Sequence, residues 1–585
     1  MTAQPEATLT QPGTADVMES TGHSGRLTGK VALVTGAAGN LGGEIVRHFL
    51  REGATVVLTG RERTRIDAAR LAAVEAMGVP DSRASAVTLD GADPVSVRRA
   101  IAEAMSMHGR IDIVVNNAGS AGPRQPLRNV PLTREELDAL RAEGSTDSET
   151  VGDAMRSILG VAWHVANAAA RVMQPGGSII NISTIFSRTE YYARSPYVVP
   201  KAALNALSRQ LSFELGERGI RVNTLYPGPI RSERIQTVFA AMDRMRGDEP
   251  GTTATSFTGL MSLKRSGEDA SAGRTFPTPK DVANTCVFLA SDESAAFNGH
   301  DFEVTHGMWV RKESRSEFVS RPTMRTVDGS GLSVLVACGD QLEDGLAVAR
   351  LQAEVGAMVL LGVPTDMDVT AMQAQLLSHG PDAQIRVARF DRSSPASMDA
   401  ALAAGPAGGG PVHGAIILPA FGVQRFRGLV CEAPDADIDA FIDGELTGAI
   451  ALARTLSRYW SARTDLPRNP RFVMLTNGSD DAYNSYADML RAALESLTRV
   501  WRDETKVDVK HGRRQWIEWG NQIVRYGNTE PENRRFAAGQ AARLIYTDRR
   551  IPQVNLYMPK SIVKATGAKR SMVGFMENLT GLHLG

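Results

Sequence analysis

Lys30-Val-Ala-Leu-Val is a short apolar run rich in β-formers. It passes at once into Thr35-Gly-Ala-Ala-Gly-Asn-Leu-Gly42, and that into Glu44-Ile-Val-Arg-His-Phe-Leu50, whose apolar residues have helical spacing. No other stretch limits the fold as much. A glycine-rich turn between a strand and a helix lets bare backbone approach a pyrophosphate, and the helix N-terminus favours its charge. The spacing is G-x-x-G-x-x-G, with Gly36, Gly39 and Gly42 flanking Asn40 and Leu41. A plain strand–helix turn is the alternative; the strand-turn-helix context favours a nucleotide.

The alternation continues. Thr55-Val-Val-Leu ends in Thr59-Gly-Arg-Glu-Arg63, Ser85-Ala-Val-Thr-Leu in Asp90-Gly91, and Ile111-Asp-Ile-Val-Val in Asn116-Asn-Ala-Gly119. Apolar strands alternating with helices predict a parallel sheet covered on both faces, with ligands at the strand C-terminal ends. Every motif found lies at such an end. After the second strand an NAD site usually carries Asp or Glu for the ribose 2′-hydroxyl. This chain has Gly60 and then Arg61, which suits a 2′-phosphate and so NADPH. Asp90 is placed to meet the adenine ring.

Tyr197-x-x-x-Lys201 closes the stretch Asn181 to Lys201. Residues four apart share a helix face, so a phenol and an ammonium meet there. The cation favours loss of the phenolic proton, which makes Tyr197 a candidate acid. Thr184, thirteen residues upstream, ends an apolar run and offers a hydroxyl for a substrate carbonyl; Ser183 is its neighbour and rival.

Thr35-Gly-x-x-Gly-x-x-Gly42, Asn116-Asn-Ala-Gly119, Tyr197-x-x-x-Lys201 and Tyr226-Pro-Gly-Pro-Ile230 together resemble the short-chain dehydrogenase/reductase family over about residues 27 to 310. The resemblance implies that Asn117, Ala118 and Gly119 border the cofactor, as do Tyr197 and Lys201. It also implies that Pro227, Gly228 and Ile230 lie beside the nicotinamide. The family's Asn-Ser-Tyr-Lys set maps onto Ser157, Thr184, Tyr197 and Lys201. Thr can stand in for Ser, whereas Ser157 in place of Asn departs from the family's proton relay. The segment 231–275, rich in Gly, Ser, Thr and Met, reads as an irregular substrate lid.

A second β-α series begins at Leu332-Ser-Val-Leu-Val-Ala-Cys338, and Arg491-Ala-Ala-Leu-Glu-Ser-Leu echoes Lys201-Ala-Ala-Leu-Asn-Ala-Leu207. It reads as a divergent copy of the first fold. Its turn carries Asp340, Glu343 and Asp344, which would repel a pyrophosphate, and Ala487 and Arg491 stand where Tyr and Lys would. The fold class is therefore α/β: two tandem Rossmann-type doubly wound parallel sheets, the second a degenerate copy. The expected organisation is a disordered tail over 1–25, a catalytic domain over 26–311, a linker over 312–330, a degenerate domain over 331–560, and a C-terminal linker over 561–585 toward a further domain. The second half is expected to pack on the first, or to complete an interface or lid.

This layout resembles the N-terminal halves of the bifunctional malonyl-CoA reductase family. That implies NADPH-dependent reduction of malonate semialdehyde to 3-hydroxypropionate, with a malonyl-CoA-reducing half in the same polypeptide or as a partner. A carboxylate-bearing substrate needs a cation, and Arg188, Arg194, Arg231 and Arg234 are candidates, with Tyr191 a core or pocket residue. The rivals are a 3-oxoacyl thioester reductase and, from another class, an inactive scaffold. Lys+Arg and Asp+Glu are equal at 65 each, so no basic footprint calls for nucleic acid or a membrane surface. Cys286, Cys338 and Cys431 lack metal-ligand spacing. No stretch resembles a signal peptide or a membrane span, and a cytoplasmic location is expected. A homodimer is compatible with such a chain.

Overall fold

The computed structural model describes residues 25–189, 191–263, 275–308 and 327–510, apart from 339–341, 365, 378–382, 419–427, 467–469 and 479–484. It also describes strands at 316–319, 522–527 and 553–556 and short helical pieces within 538–546. The expected tail, except Gly25, and the C-terminal linker lie outside these residues.

The first sheet has seven strands: β1 Val31–Thr35, β2 Thr55–Gly60, β3 Ala84–Thr88, β4 Ile113–Asn116, β5 Ser178–Ile182, β6 Arg221–Pro227 and β7 Asp301–Val304. Their order is β3-β2-β1-β4-β5-β6-β7, and all pairs are parallel. β1 and β5 are buried at every position, as expected of strands covered on both faces. The order reverses between β1 and β4, which opens a crevice at their C-terminal ends.

The second sheet comprises β8 Ser316–Val319, β9 Ser333–Ala337, β10 Met358–Val363, β11 Ile385–Arg389, β12 Gly414–Ile417, β13 Arg471–Gly478, β14 Gln522–Gly527 and β15 Gln553–Leu556. Its order is β11-β10-β9-β12-β13-β14-β15-β8. The first sheet's order recurs strand for strand, with one strand added at the edge. That strand corrects the expected linker: β8 lies inside 312–330 and pairs in parallel with β15, Ser316 opposite Gln553. Its Ser-Glu-Phe-Val run is too short to stand out from linker sequence.

The halves meet along two long helices, Ser195–Gly216 of the first and Ser485–Lys510 of the second. Val199, Leu207 and Leu211 share one buried apolar cluster with Leu490, Leu494 and Leu497. Trp163 packs edge-on to Phe441 and tilted against Tyr486, with centroids 5.9 and 5.5 Å apart. Its indole Nε1 donates to the Val430 carbonyl at 2.8 Å. The Glu214 carboxylate accepts from the amides of Val430 and Cys431 at 3.0 and 2.8 Å. Buried aromatics with satisfied polar handles and charge-assisted bonds mark a permanent interface.

The expected irregular lid is corrected as well. Two helices, Glu233–Arg246 and Thr252–Gly259, occupy much of 231–263. Ser232 caps the first by accepting from the Ile235 amide at 3.3 Å. Gly247 ends it with φ 65°, a left-handed position suited to glycine. Residues 264–274 lie outside the described set.

Candidate functional site

A cavity of about 920 Å³ runs along the C-terminal ends of β1, β2, β4, β5 and β6. Its floor is the glycine turn. Gly36 has φ 64°, and a Cβ there would stand 3.0 Å from the Ala118 Cα. A Cβ on Gly42 would lie 2.3 Å from the Gly36 carbonyl oxygen, so only glycine lets the helix Asn40–Arg51 start this close to the strand end. The Thr35 hydroxyl oxygen accepts from the amides of Asn117 and Ala118 at 3.0 and 2.9 Å. The Asn117 side chain donates to the Thr35 carbonyl at 3.0 Å. These bonds lock the end of β4 against the turn.

All the expected cofactor positions line this cavity: Gly36, Gly39, Asn40, Leu41, Gly42, Arg61, Asp90, Gly91, Asn117, Ala118, Gly119, Tyr197, Lys201, Pro227, Gly228 and Ile230. A Cβ on Gly91 would fall 2.4 Å from a Val161 methyl, so this wall too admits only glycine. Arg65 lines the wall with Arg61, both exposed, and sequence reasoning missed it. The basic run Arg61, Arg63, Arg65 was its signal.

The candidate catalytic residues sit on the next strand and helix. Lys201 is 5% exposed, and its ammonium donates to the Ile182 carbonyl at 2.5 Å. That bond ties the helix Ser195–Gly216 to the end of β5, with Tyr197 one turn earlier on the same helix. Thr184 and Ser183 both line the cavity. The Ser183 hydroxyl is turned to Asn205 and the Lys201 carbonyl, whereas the Thr184 hydroxyl oxygen accepts from the Phe186 amide at 3.3 Å. Thr184 thus keeps its proton for a ligand, and Ser183 spends its own within the protein. Ser157 lies in a π-helical turn, Arg156–Gly160, and donates to Ser120 at 2.9 Å. Its hydroxyl faces the cavity that Ser120 also lines.

Of the candidate cations whose side chains are described, Arg194 lines the cavity and Arg188 and Arg231 do not. Arg194 is 3% exposed, and its Nη2 donates to the Ala121 carbonyl at 2.9 Å. Its Cζ stands 5.1 Å from the Tyr197 ring centroid and 5.8 Å from that of Tyr191. Arg188 corrects the expectation. It lies over the Tyr226 ring at 3.9 Å, bonded to Asp301 and 3.7 Å from Glu303, away from the cavity lining. β7 runs beside β6 and supplies both acids, which draw the guanidinium outward. Arg231 is exposed just before the helix Glu233–Arg246 and outside the lining, its amide bonded to the Pro277 carbonyl at 2.8 Å. The Arg234 side chain lies outside the described residues. Tyr191 lines the cavity, stacked on Phe186 at 4.0 Å, and Phe257 of the helix Thr252–Gly259 meets Phe186 edge-on at 5.2 Å. Ile235 and Val238 of the helix Glu233–Arg246 also line it, so apolar side chains roof the end of the cavity nearest Tyr197.

The model described as enoyl-(acyl carrier protein) reductase matches residues 36–309. An uncharacterized oxidoreductase of Methylorubrum extorquens is 31% identical over 284 residues, 48% of this chain and 99% of that protein. The chain belongs to the short-chain dehydrogenase/reductase family. A 7α-hydroxysteroid dehydrogenase of Clostridium sardiniense is 29% identical over 300 residues, 51% of this chain and 99% of that enzyme. The crystal structure of the N-domain of a bacterial malonyl-CoA reductase, with NADP, is 56% identical with TM-score 0.87, covering 92% of this chain and 98% of that one. The C-domain, also with NADP, covers 91% of this chain and 99% of that one at TM-score 0.69; at 18% identity it is a likeness of fold. This short-chain dehydrogenase/reductase therefore has its family relatives in the first half and a two-sheet neighbour along nearly the whole chain.

The second sheet of this family member carries a different groove. Asp391 follows β11 as Asp90 follows β3, and the bonds recur: each Asp amide donates to a Ser hydroxyl, Ser96 or Ser397, at 3.1 Å. Where the first half then has Gly91, the second has Arg392. Glu445 sits in a π-helical turn three residues before Gly448, as Ser157 precedes Gly160. Arg392 and Glu445 pair at 3.3 Å, with side chains 14% and 7% exposed. An ion pair thus occupies the places that Gly91 and Ser157 hold in the first half. Arg491 pairs with Asp488 at 2.5 Å, and Tyr486 is buried among Trp163 and Phe441. Asp340 lies outside the described residues.

Proposed function

We propose that the first half reduces malonate semialdehyde to 3-hydroxypropionate with NADPH. The observation that carries this reading is Arg194, a buried guanidinium beside the Tyr197 ring in the same cavity. The substrate differs from a neutral aldehyde by one carboxylate, and a guanidinium can hold that group bidentately. The 56% identity to an N-domain described with NADP supports the same assignment.

The residues suit the dinucleotide. Gly36 and Gly42 leave bare backbone where a Cβ would collide, and the helix N-terminus there favours a pyrophosphate. Arg61 and Arg65, both on the cavity wall, would hold the 2′-phosphate. When bound, NADPH supplies the hydride. Tyr197 donates the proton to the carbonyl oxygen, Thr184 holds that oxygen by its hydroxyl, and Lys201 stabilises the phenolate left behind. Arg194 orients the carboxylate, and the aromatic roof excludes water. The aldehyde comes from a malonyl-CoA-reducing partner, in the same polypeptide or apart.

Turnover of NADPH by the purified chain tests this. The kcat/KM with malonate semialdehyde should exceed that with an acetoacetyl thioester by about tenfold or more. The reverse order would assign the cavity to carrier-bound 3-oxoacyl substrates. Tyr197→Phe should abolish turnover and leave NADPH affinity within about a factor of two; wild-type turnover would remove Tyr197 from the chemistry.

A further inference from the structure

Three residues one helical turn apart on Ser485–Lys510 reach across to the cavity of the other half. Val500 is fully buried in the cluster formed by Phe186, Tyr191 and Tyr192 of the loop before Tyr197 with Val238 and Phe239 of the lid. Asp503 accepts from Arg246 Nη2 at 3.0 Å, and Arg246 ends the lid helix Glu233–Arg246. The same guanidinium lies over the Tyr192 ring at 5.1 Å. Glu504 accepts from the buried Leu127 amide at 2.7 Å, on the loop that follows β4. That loop also presents the Ala121 carbonyl to Arg194. Positions i, i+3 and i+4 share one helix face. A single face of the second half therefore holds the lid on one side of the cavity and the β4 loop on the other.

We propose that Val500, Asp503 and Glu504 form a clamp that positions the substrate walls, making the degenerate half a working part of the reductase site. They are positioning residues and touch neither substrate nor cofactor. The inference rests on the reading that this cavity takes the aldehyde, but the clamp itself is a statement about the walls. The contact at Leu127 is buried, and the one at Arg246 is mostly so, with side chains 24% and 16% exposed. Losing either bond frees one wall while the glycine turn stays in place.

Hydrogen exchange and kinetics on the full chain test this together. In Asp503→Asn, amides of 233–246 should exchange about five- to tenfold faster, with those of β1 and β4 unchanged. KM for malonate semialdehyde should rise about tenfold, with kcat and NADPH affinity nearly constant. Asp503→Glu should restore both. Glu504→Gln should speed exchange at Leu127 and its neighbours. Unchanged lid exchange in Asp503→Asn together with unchanged exchange at Leu127 in Glu504→Gln would overturn the clamp, as would acceleration spread evenly over the chain. Faster lid exchange in a protein that does not turn over malonate semialdehyde would uphold the clamp and sink the substrate assignment.

Discussion

Arg194 and Arg188 stand six residues apart in one loop, and nothing within that loop distinguishes them. What separates them comes from elsewhere in the chain: Asp301 and Glu303 on β7 take Arg188, and the Ala121 carbonyl takes Arg194. In a partly desolvated pocket a charge-assisted bond is worth roughly 1.5–3 kcal/mol. Arg194→Ala should therefore lower kcat/KM for malonate semialdehyde about ten- to a hundredfold and hardly change that for propanal. Arg188→Ala should leave the ratio of the two substrates where it was. Equal losses on both aldehydes in Arg194→Ala would make that residue structural. At the other end of the cavity, Arg61→Ala should weaken NADPH about fivefold and NADH little, because the guanidinium is exposed and Arg65 shares the charge. Fluorescence titration with both cofactors checks it, and equal losses would end the 2′-phosphate assignment. The glycines, Tyr197 and Lys201 could be read from spacing because each is needed by local geometry, while Asn117 came from the family resemblance. Arg65 was signalled by the basic run and went unread, whereas the engagement of Ser183 by Asn205 and the fate of Arg188 depend on contacts distant in sequence, which spacing does not encode.

Among the elements, the strands were readable because buried parallel strands are near-continuous apolar runs, as in β1 and β9. The lid was misread because its composition mimics a loop, while a Ser cap and a left-handed glycine are enough to bound a helix within it. The degenerate character of the second half was evident from its acids and its lost Tyr and Lys. The feature that closes its groove was not, since Arg392 and Glu445 lie far apart along the chain and meet only across the fold. A buried pair of this kind would lose heavily if a nucleotide displaced one member. Calorimetry with NADPH should accordingly give one site per chain, unchanged in Arg392→Gly. Two sites in the wild type would refute the reading of this half as inert toward dinucleotides.

At the scale of the molecule, the apolar face of Ser195–Gly216 is covered by a helix of the same chain. Leu207 and Leu211 are fully buried in a cluster shared with the second half. Returning each such leucine to water costs about 1.5–3 kcal/mol, against a typical domain stability of 5–15 kcal/mol. A chain cut after residue 311 should therefore aggregate or self-associate in sedimentation, and a soluble, stable monomer would contradict the continuous core. The edge strand β8 carries a further consequence. It is made directly after the first half, yet its partner β15 comes only after all the other strands of its sheet. During synthesis the first half can complete its sheet while β8 waits with an open row of amides and carbonyls, beside a leucine face that is also uncovered. The nascent chain thus passes through a long interval in which it is half built and adhesive. Its yield in a cell should depend on how fast the ribosome covers that stretch and on what holds the chain meanwhile.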